Sequence, residues 1–571
     1  MTLDDLKAAG EAPNWMTEES FLTLSKGYLL PEETPNQMWI RVSESSAKHL
    51  GRPEWAEKFY YLMWNNFLGL ASPVAANGGT DRGLPISCFS VSVPDSITGI
   101  FDTYSEIATM TKNGGGVGVY WGNVRGRGES IKGNGKSDGI IGWNKVQDSL
   151  TIAVSQGQTR RGATASYISI EHPDFEEFLK MRRPIGDTNR QCLNIHHGVS
   201  IPNSFMEKVR DGDSDAKHKY QELLRCRFET GEPYMLFIDN VNDQNPKMYK
   251  DLDLKVETSN ICSEIMLHTD KDHSFVCCLS SMNLARWHEW KDTDAVFWAT
   301  VFLDGVMEEF IQKAKKIPYM ERSVRFAEKS RALGLGVLGW HSFLQQERIG
   351  FEWISAFSYN HLIFEHLQRE STRASEFLAK EFGEPEWCNG HGVRNSHRLA
   401  VAPTVSNSLI SGNVSAGIEP WSSNAFANKT AKGVFIHQNK ELKKVLEELN
   451  KDTPEVWSSI STNEGSVQHL DFLSSDLKEV FKTARELDQL QVVRQNADRQ
   501  KYVDQGISLN LFFKANVDLA YFSKVHFSAW ERGLKSLYYC RCEEASRGDV
   551  ASRENVEPAK ADETSCVSCE S

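Results

Sequence analysis

The run Asn260-Ile261-Cys262-Ser263-Glu264 sets an amide, a thiol and a carboxylate at alternate positions. In an extended backbone, residues i, i+2 and i+4 project to one side, so the three would converge. Together they would supply a hydrogen-bond anchor, a reactive sulfur and a general base. A solvated strand end with a half-buried cysteine fits the same letters. More thiols sit in β-like runs: Cys88 in "PISCFSVSVPDS", and the pair Cys277 and Cys278 in "SFVCCLSSMNL". Successive strand residues face opposite sides, so only one of that pair can face a given site. Two thiols on neighbouring strands could deliver two electrons and close a disulfide, or could simply be core cysteines. Tyr538 and Tyr539 stand side by side in "SLYYCRC", either as one core and one surface ring or as a relay of redox-active phenols. The chain ends on Cys566 and Cys569 in "DETSCVSCES".

Other stretches offer places for anions. "APTVSNSLISGNVSAGIEP" puts small polar residues before an apolar run, where a helix start could present N–H groups to phosphate. It lacks the Gly-Lys-Ser/Thr ending of a Walker A loop, and a capped turn is the simpler alternative. "NGGGVGVYWGNVRGRG" and "SQGQTRRGATAS" are glycine-rich and carry Arg125, Arg127, Arg160 and Arg161. They suit a triphosphate or a solvated loop equally. "RALGLGVLGW" spells G-x-G-x-x-G, but it follows a charged helical run, and no acidic residue closes a βαβ unit. Close backbone packing explains it better than a dinucleotide site.

The elements that must hold these residues read as α/β. Residues 1–70 are mostly helical in pattern; from about 85 to 540, short β-rich runs alternate with helical ones such as "DAVFWATVFLDGVMEEFIQKAKK". After Cys542 the chain is nearly devoid of large apolar residues and reads as a disordered tail. A net charge of −13 over 571 residues argues against a nucleic-acid surface. No apolar run is long enough to span a bilayer and the start is acidic, so a cytoplasmic location with no membrane partner is expected. Eleven cysteines are then poorly explained as a disulfide framework. Cys192, Cys226 and Cys388 read as packing residues.

In their order along the chain, these motifs resemble the large (α) subunit of a class I ribonucleotide reductase, over roughly residues 70–571. The resemblance implies a ten-stranded α/β barrel, two parallel five-stranded halves set antiparallel, with a finger loop carrying "SNICSEI" through its centre. The division expected is a helical region over 1–70, the barrel over 71–542 and a redox-active tail over 543–571. Cys262 then looks like the thiyl radical site, Glu264 the base on the 3′ hydroxyl and Asn260 a substrate anchor. Cys88 and Cys277 would be the redox pair, Cys277 being chosen over Cys278 on the family register "C-x-L-S-x-x-N-L". Tyr538 and Tyr539 match the relay that accepts oxidising equivalents from a metal-containing β subunit, so no metal or cofactor is expected in this chain itself. Ser72, Ser87 and the stretch Thr404, Val405, Ser406, Asn407 and Ser408 would hold substrate phosphates. Asp95, Arg125 and Arg160 would bind a deoxynucleoside triphosphate or ATP as specificity effector at an α2 dimer interface. Cys566 and Cys569 would shuttle electrons from thioredoxin or glutaredoxin.

Many relatives open with a domain of roughly a hundred residues that binds ATP or dATP. Cys88 comes too early for one here, so an activity switch of that type is not expected. Rival readings are an adenosylcobalamin-dependent reductase, which needs no tyrosine relay, and a non-catalytic nucleotide-binding regulator. For the tail, a zinc site made by Cys540, Cys542, Cys566 and Cys569 is the other alternative.

Overall fold

Five strands form the first wall: Cys88–Ser92, Gly116–Tyr120, Ala163–Ser169, His196–Ile201 and Tyr234–Phe237. Each is parallel to the next, as strands joined by helical crossovers must be. Here the protein is described from a computed structural model covering residues 2–154, 162–430 and 433–542. A second wall starts with Phe275–Asn283, which pairs antiparallel with Cys88–Ser92 and parallel with Leu333–Leu338. Parallel bridges continue it from Leu335 to Leu399 and from Val401 to Ile507. The backbone N–H of Tyr538 then donates to Leu509 O at 2.9 Å, and Leu511–Phe513 pairs parallel with Cys540–Cys542. Ser536–Leu537 closes the ring by pairing antiparallel with Tyr234–Phe237. The expected barrel is therefore present: two parallel halves joined by two antiparallel seams.

Helices coat the outside. Ala295–Ala314 is apolar on nearly every side because it packs between helix Pro35–His49, helix Ile354–Phe382 and the barrel wall. The opening residues are helical, as their pattern implies. Helix Pro35–His49 starts with a capping box, Thr34 accepting from the Gln37 N–H and Gln37 accepting from that of Thr34, with proline in its first turn.

Residues 258–267 are buried throughout and run through the middle of the ring. Contacts from both walls fix them. Tyr167 Oη donates to Asn260 O at 2.6 Å, Ser536 Oγ to Ser263 O at 2.9 Å, and the Gly506 N–H to Glu264 O at 2.7 Å. The loop passes so close to the first wall that a Cβ on Gly118 would fall 1.9 Å from Ser259 O. That atom is backbone and cannot swing aside. Gly118→Ala is expected to destabilise the fold by about 1–3 kcal/mol, the usual range for overpacking, read as a lower melting temperature. The glycines of "RALGLGVLGW" also serve close packing. Gly334 and Gly336 lie on Leu333–Leu338, where a Cβ on Gly336 would meet Ala400 O at 2.4 Å, and Gly339 follows the strand with a left-handed φ of 80°.

Candidate active site

The finger loop corrects the extended-strand reading of "SNICSEI". Its backbone is a tight turn in which Asn260 Oδ1 accepts the N–H groups of Glu264 and Ile265, both at 3.1 Å. Ser263 takes a left-handed φ of 63°. The local hydrogen bonds of an asparagine side chain outcompete the extended form. Convergence survives by another route. Ser508 Oγ lies 2.6 Å from Cys262 O and 3.2 Å from Glu264 Oε2, tying thiol and carboxylate residues to one hydroxyl. Asn260 Nδ2 points to Cys88 Sγ at 3.5 Å.

Cys88 and Cys277 are direct partners across the antiparallel seam. Facing residues in such a pair have Cα atoms about 4.5–5.5 Å apart, inside the range a disulfide spans. Gln505 Nε2 reaches Cys277 Sγ at 3.7 Å and is itself anchored on Leu333 O. Cys278 points the other way, its Sγ donating to Leu303 O on the outer helix at 3.3 Å. The strand alternation thus separates the two sulfurs onto opposite faces. Burial, helped by the adjacent Cys278 and Cys88 sulfurs, pushes the Cys277 thiol well above its ordinary value, so it stays protonated at neutral pH.

Tyr538 carries its hydroxyl to 3.5 Å from Cys262 Sγ. Its ring centroid is 4.2 Å from that of Tyr539 and 4.7 Å from that of Tyr234. Tyr538 is buried while Tyr539 is half-buried. The Tyr539 hydroxyl lies 3.4 Å from His196 Nδ1, and Arg541 stacks over its ring at 4.4 Å. Behind His196 stands Glu232, where burial would raise the carboxyl but Arg182 and the imidazoles hold it well below the usual carboxylate range. A line of phenols therefore leads from the protein's interior thiol toward its surface.

Comparison with known proteins decides the family. The model of the ribonucleotide reductase barrel domain matches residues 86–217, 211–390 and 385–540, and that of the ribonucleotide reductase all-alpha domain matches 15–83. The chain belongs to the ribonucleotide reductase large-subunit family. A protein of Frog virus 3 (isolate Goorha) named as a ribonucleoside-diphosphate reductase large subunit is 41% identical, over 91% of this chain and 93% of its own. The large subunit of Invertebrate iridescent virus 3 is 34% identical, over 90% and 92%. Among solved structures, the class Id ribonucleotide reductase alpha subunit of Actinobacillus ureae superposes with a TM-score of 0.87 at 43% identity, covering 93% of this chain and 98% of that one. Reductases of this family convert ribonucleotides to deoxyribonucleotides, and the large subunit relies on a separate small subunit for its radical.

The other expected residues of this large subunit sit on several separate elements. Thr404, Asn407 and Ser408 are buried, Ser406 is half-buried and Val405 is exposed, at the start of helix Val405–Ile410. Thr404 does not cap that helix; its Oγ1 accepts from the Gly417 N–H at 2.7 Å and lies 2.9 Å from Ser408 Oγ. Ser72 Oγ lies 3.0 Å from Tyr28 Oη, and Ser87 Oγ lies 3.8 Å from Cys88 Sγ. Asp95 and Arg125 form a partly exposed ion pair at 2.9 Å. Arg160, Arg161, Cys566 and Cys569 lie outside the described residues. Sequence reasoning missed Gln505, Ser508, Tyr167 and Tyr234. A glutamine and a serine inside the apolar run "DQGISLNLFF" were the available signal, since a polar group on a core strand needs a partner there.

Proposed function

We propose that this chain reduces ribonucleoside diphosphates by thiyl-radical chemistry, with Cys262 as the radical site. The observation that carries it is the Tyr538 hydroxyl 3.5 Å from Cys262 Sγ, at the inner end of a continuous line of phenols. Tyr539, half-buried, would give an electron to a metal-containing small subunit and its phenolic proton to solvent, then take a hydrogen atom from Tyr538, which takes one from the Cys262 sulfur. The Cys262 thiyl abstracts the substrate 3′ hydrogen, Glu264 draws the proton from the 3′ hydroxyl, and Asn260 holds that hydroxyl in place. Cys88 protonates the 2′ hydroxyl, which leaves as water. Cys88 and Cys277 then give two electrons and close a disulfide, and Cys262 returns the hydrogen to carbon 3′. The balance is one ribonucleotide and two thiols giving one deoxyribonucleotide, one disulfide and one water.

Ser72, Ser87 and residues 404–408 hold the diphosphate, and the diphosphate choice rests on the names of the relatives. Asp95, Arg125 and Arg160 take a nucleoside triphosphate effector in an α2 dimer. Cys566 and Cys569 pass electrons inward from thioredoxin or glutaredoxin. Turnover with candidate class I small subunits, comparing CDP with CTP, tests the reading. Deoxycytidine diphosphate should accumulate only when a small subunit is present; equal turnover without one would refute the relay.

The two adjacent sulfurs give an internal control. Cys277→Ala should lower multiple turnover on the order of 10³-fold or more, because no second electron donor remains. Cys278→Ala, which removes a buried sulfur and its bond to the outer helix, should cost about 1–2 kcal/mol of stability and leave turnover within a few-fold.

A further inference from the structure

Between the finger loop and the strand Phe275–Asn283, the chain makes a turn that the chemistry above does not use. It carries His268, Asp270 and His273, and one ligand atom from each lies within 4.8 Å of the others. Asp270 Oδ2 is 3.1 Å from His268 Nε2, and Asp270 Oδ1 is 3.0 Å from His273 Nδ1. The turn is held by the carboxylate itself, since Oδ1 also accepts the N–H groups of Asp272 and His273 at 2.7 and 2.8 Å. Trp387 packs against both imidazoles, with ring centroids 5.9 and 5.2 Å away.

His268 Nδ1 lies 2.6 Å from the Lys255 carbonyl, which can only accept, so Nδ1 carries a hydrogen. In the neutral ring, Nε2 then bears a lone pair, and it faces a carboxylate oxygen. Two acceptors at 3.1 Å need a cation between them, either a second ring proton or a metal ion. An imidazole whose far N–H is fixed by a backbone carbonyl is the usual outer support of a metal-bound histidine. Beside the turn opens a cavity of about 310 Å³, lined by Asn123, Glu257, His268, Thr269 and Asp270 among others. Thr269, only 2% exposed, is one of the lining residues, and its buried hydroxyl has no hydrogen-bond partner.

We propose that His268, Asp270 and His273 bind a divalent transition-metal ion of the zinc class. Two imidazoles and one carboxylate select such an ion over magnesium, which prefers all-oxygen ligands. A tetrahedral ion with bonds of about 2.0–2.2 Å spaces its ligand atoms by roughly 3.3–3.5 Å, so side-chain rotation alone closes the set. Three protein ligands leave a fourth position for water or an anion, on the side of the cavity. The ion would staple the finger loop to the strand bearing Cys277.

The test uses the full chain with Cys566→Ser and Cys569→Ser, which removes the terminal thiols as competing ligands. After chelation and dialysis it is titrated with Zn²⁺ by calorimetry and with Co²⁺ by visible absorption. One equivalent should bind, and His268→Ala or His273→Ala should weaken it by about 100-fold, on the scale that metal sites lose when their ligation is disturbed. His268→Gln and His273→Gln, with melting temperatures matched to the parent, give the same readout if an alanine variant unfolds. No binding, binding unchanged in the variants, or a thiolate-to-cobalt charge-transfer band would overturn the proposal. The first of these outcomes would assign the cation between His268 and Asp270 to a proton.

Discussion

Cys262→Ser is expected to bring deoxynucleotide formation below detection, a loss of at least about 10⁴-fold, or more than 5 kcal/mol in barrier terms. The substitution is close to isosteric, and the Tyr538 hydroxyl can still bond to whatever atom replaces Sγ at 3.5 Å. The loop is held by Asn260, Ser508, Tyr167 and Ser536 rather than by the sulfur, so melting temperature and substrate binding should not change. What changes is the bond to be broken. An alcohol O–H is much stronger than a phenol O–H, so a Tyr538 radical cannot oxidise serine, whereas a thiol S–H is close to matched. The oxidising equivalent should therefore stall on the tyrosines. Electron paramagnetic resonance of the assembled enzyme with substrate should show a tyrosyl signal that persists, where in the parent the equivalent passes on to Cys262 and returns. Tyr538→Phe should produce a loss of the same size with the thiol intact. Retention of even 1% of parent turnover by Cys262→Ser would remove the thiyl radical from the mechanism.

Much of this site was legible because its residues depend on position in a strand. Cys277 and Cys278 had to face opposite ways, and the structure turns one to Gln505 and the other to Leu303. The alternation of β-rich and helical runs announced the barrel, but strand count and closure did not follow from it. Two of the ten wall segments, around Leu399 and Ile507, are held by isolated bridges whose partners lie 64 and 106 residues away. No local pattern encodes such pairings. The finger loop shows the opposite failure. Period-2 spacing reached the right convergence for the wrong reason, because an asparagine that takes two backbone N–H groups folds the segment back on itself. Gln505 and Ser508 were missed because their partners, Cys277 and Glu264, are more than 200 residues distant in the chain.

The double variant Cys566→Ser, Cys569→Ser should lose at least about 100-fold in steady-state turnover driven by a protein reductant, while the pre-reduced enzyme still completes one turnover per site. The reason lies in where the oxidised pair sits. Cys88 and Cys277 are both 0% exposed, and the finger loop, held against both walls of the ring, lies over the seam that joins them. Thiol–disulfide exchange needs a sulfur in contact with the bond it attacks, and no folded reductant can enter a filled barrel. Cys540 and Cys542 cannot substitute, because their sulfurs, 3.6 Å apart, are buried on the wall beside the helix that carries Arg227. From Cys542 to Cys566 there are 24 steps of chain. A random-coil chain of that many steps, as the scarcity of large apolar residues there leads one to expect, would span about 27 Å on average and about 80 Å at full extension, enough to carry a dithiol to the barrel and back. Chemical quench after mixing pre-reduced enzyme, small subunit and substrate should give a burst equal to the site concentration and then nothing. A small dithiol such as dithiothreitol should restore slow turnover, since it needs no carrier. Sustained turnover of the double variant with thioredoxin or glutaredoxin would mean that electrons reach Cys88 and Cys277 by another path.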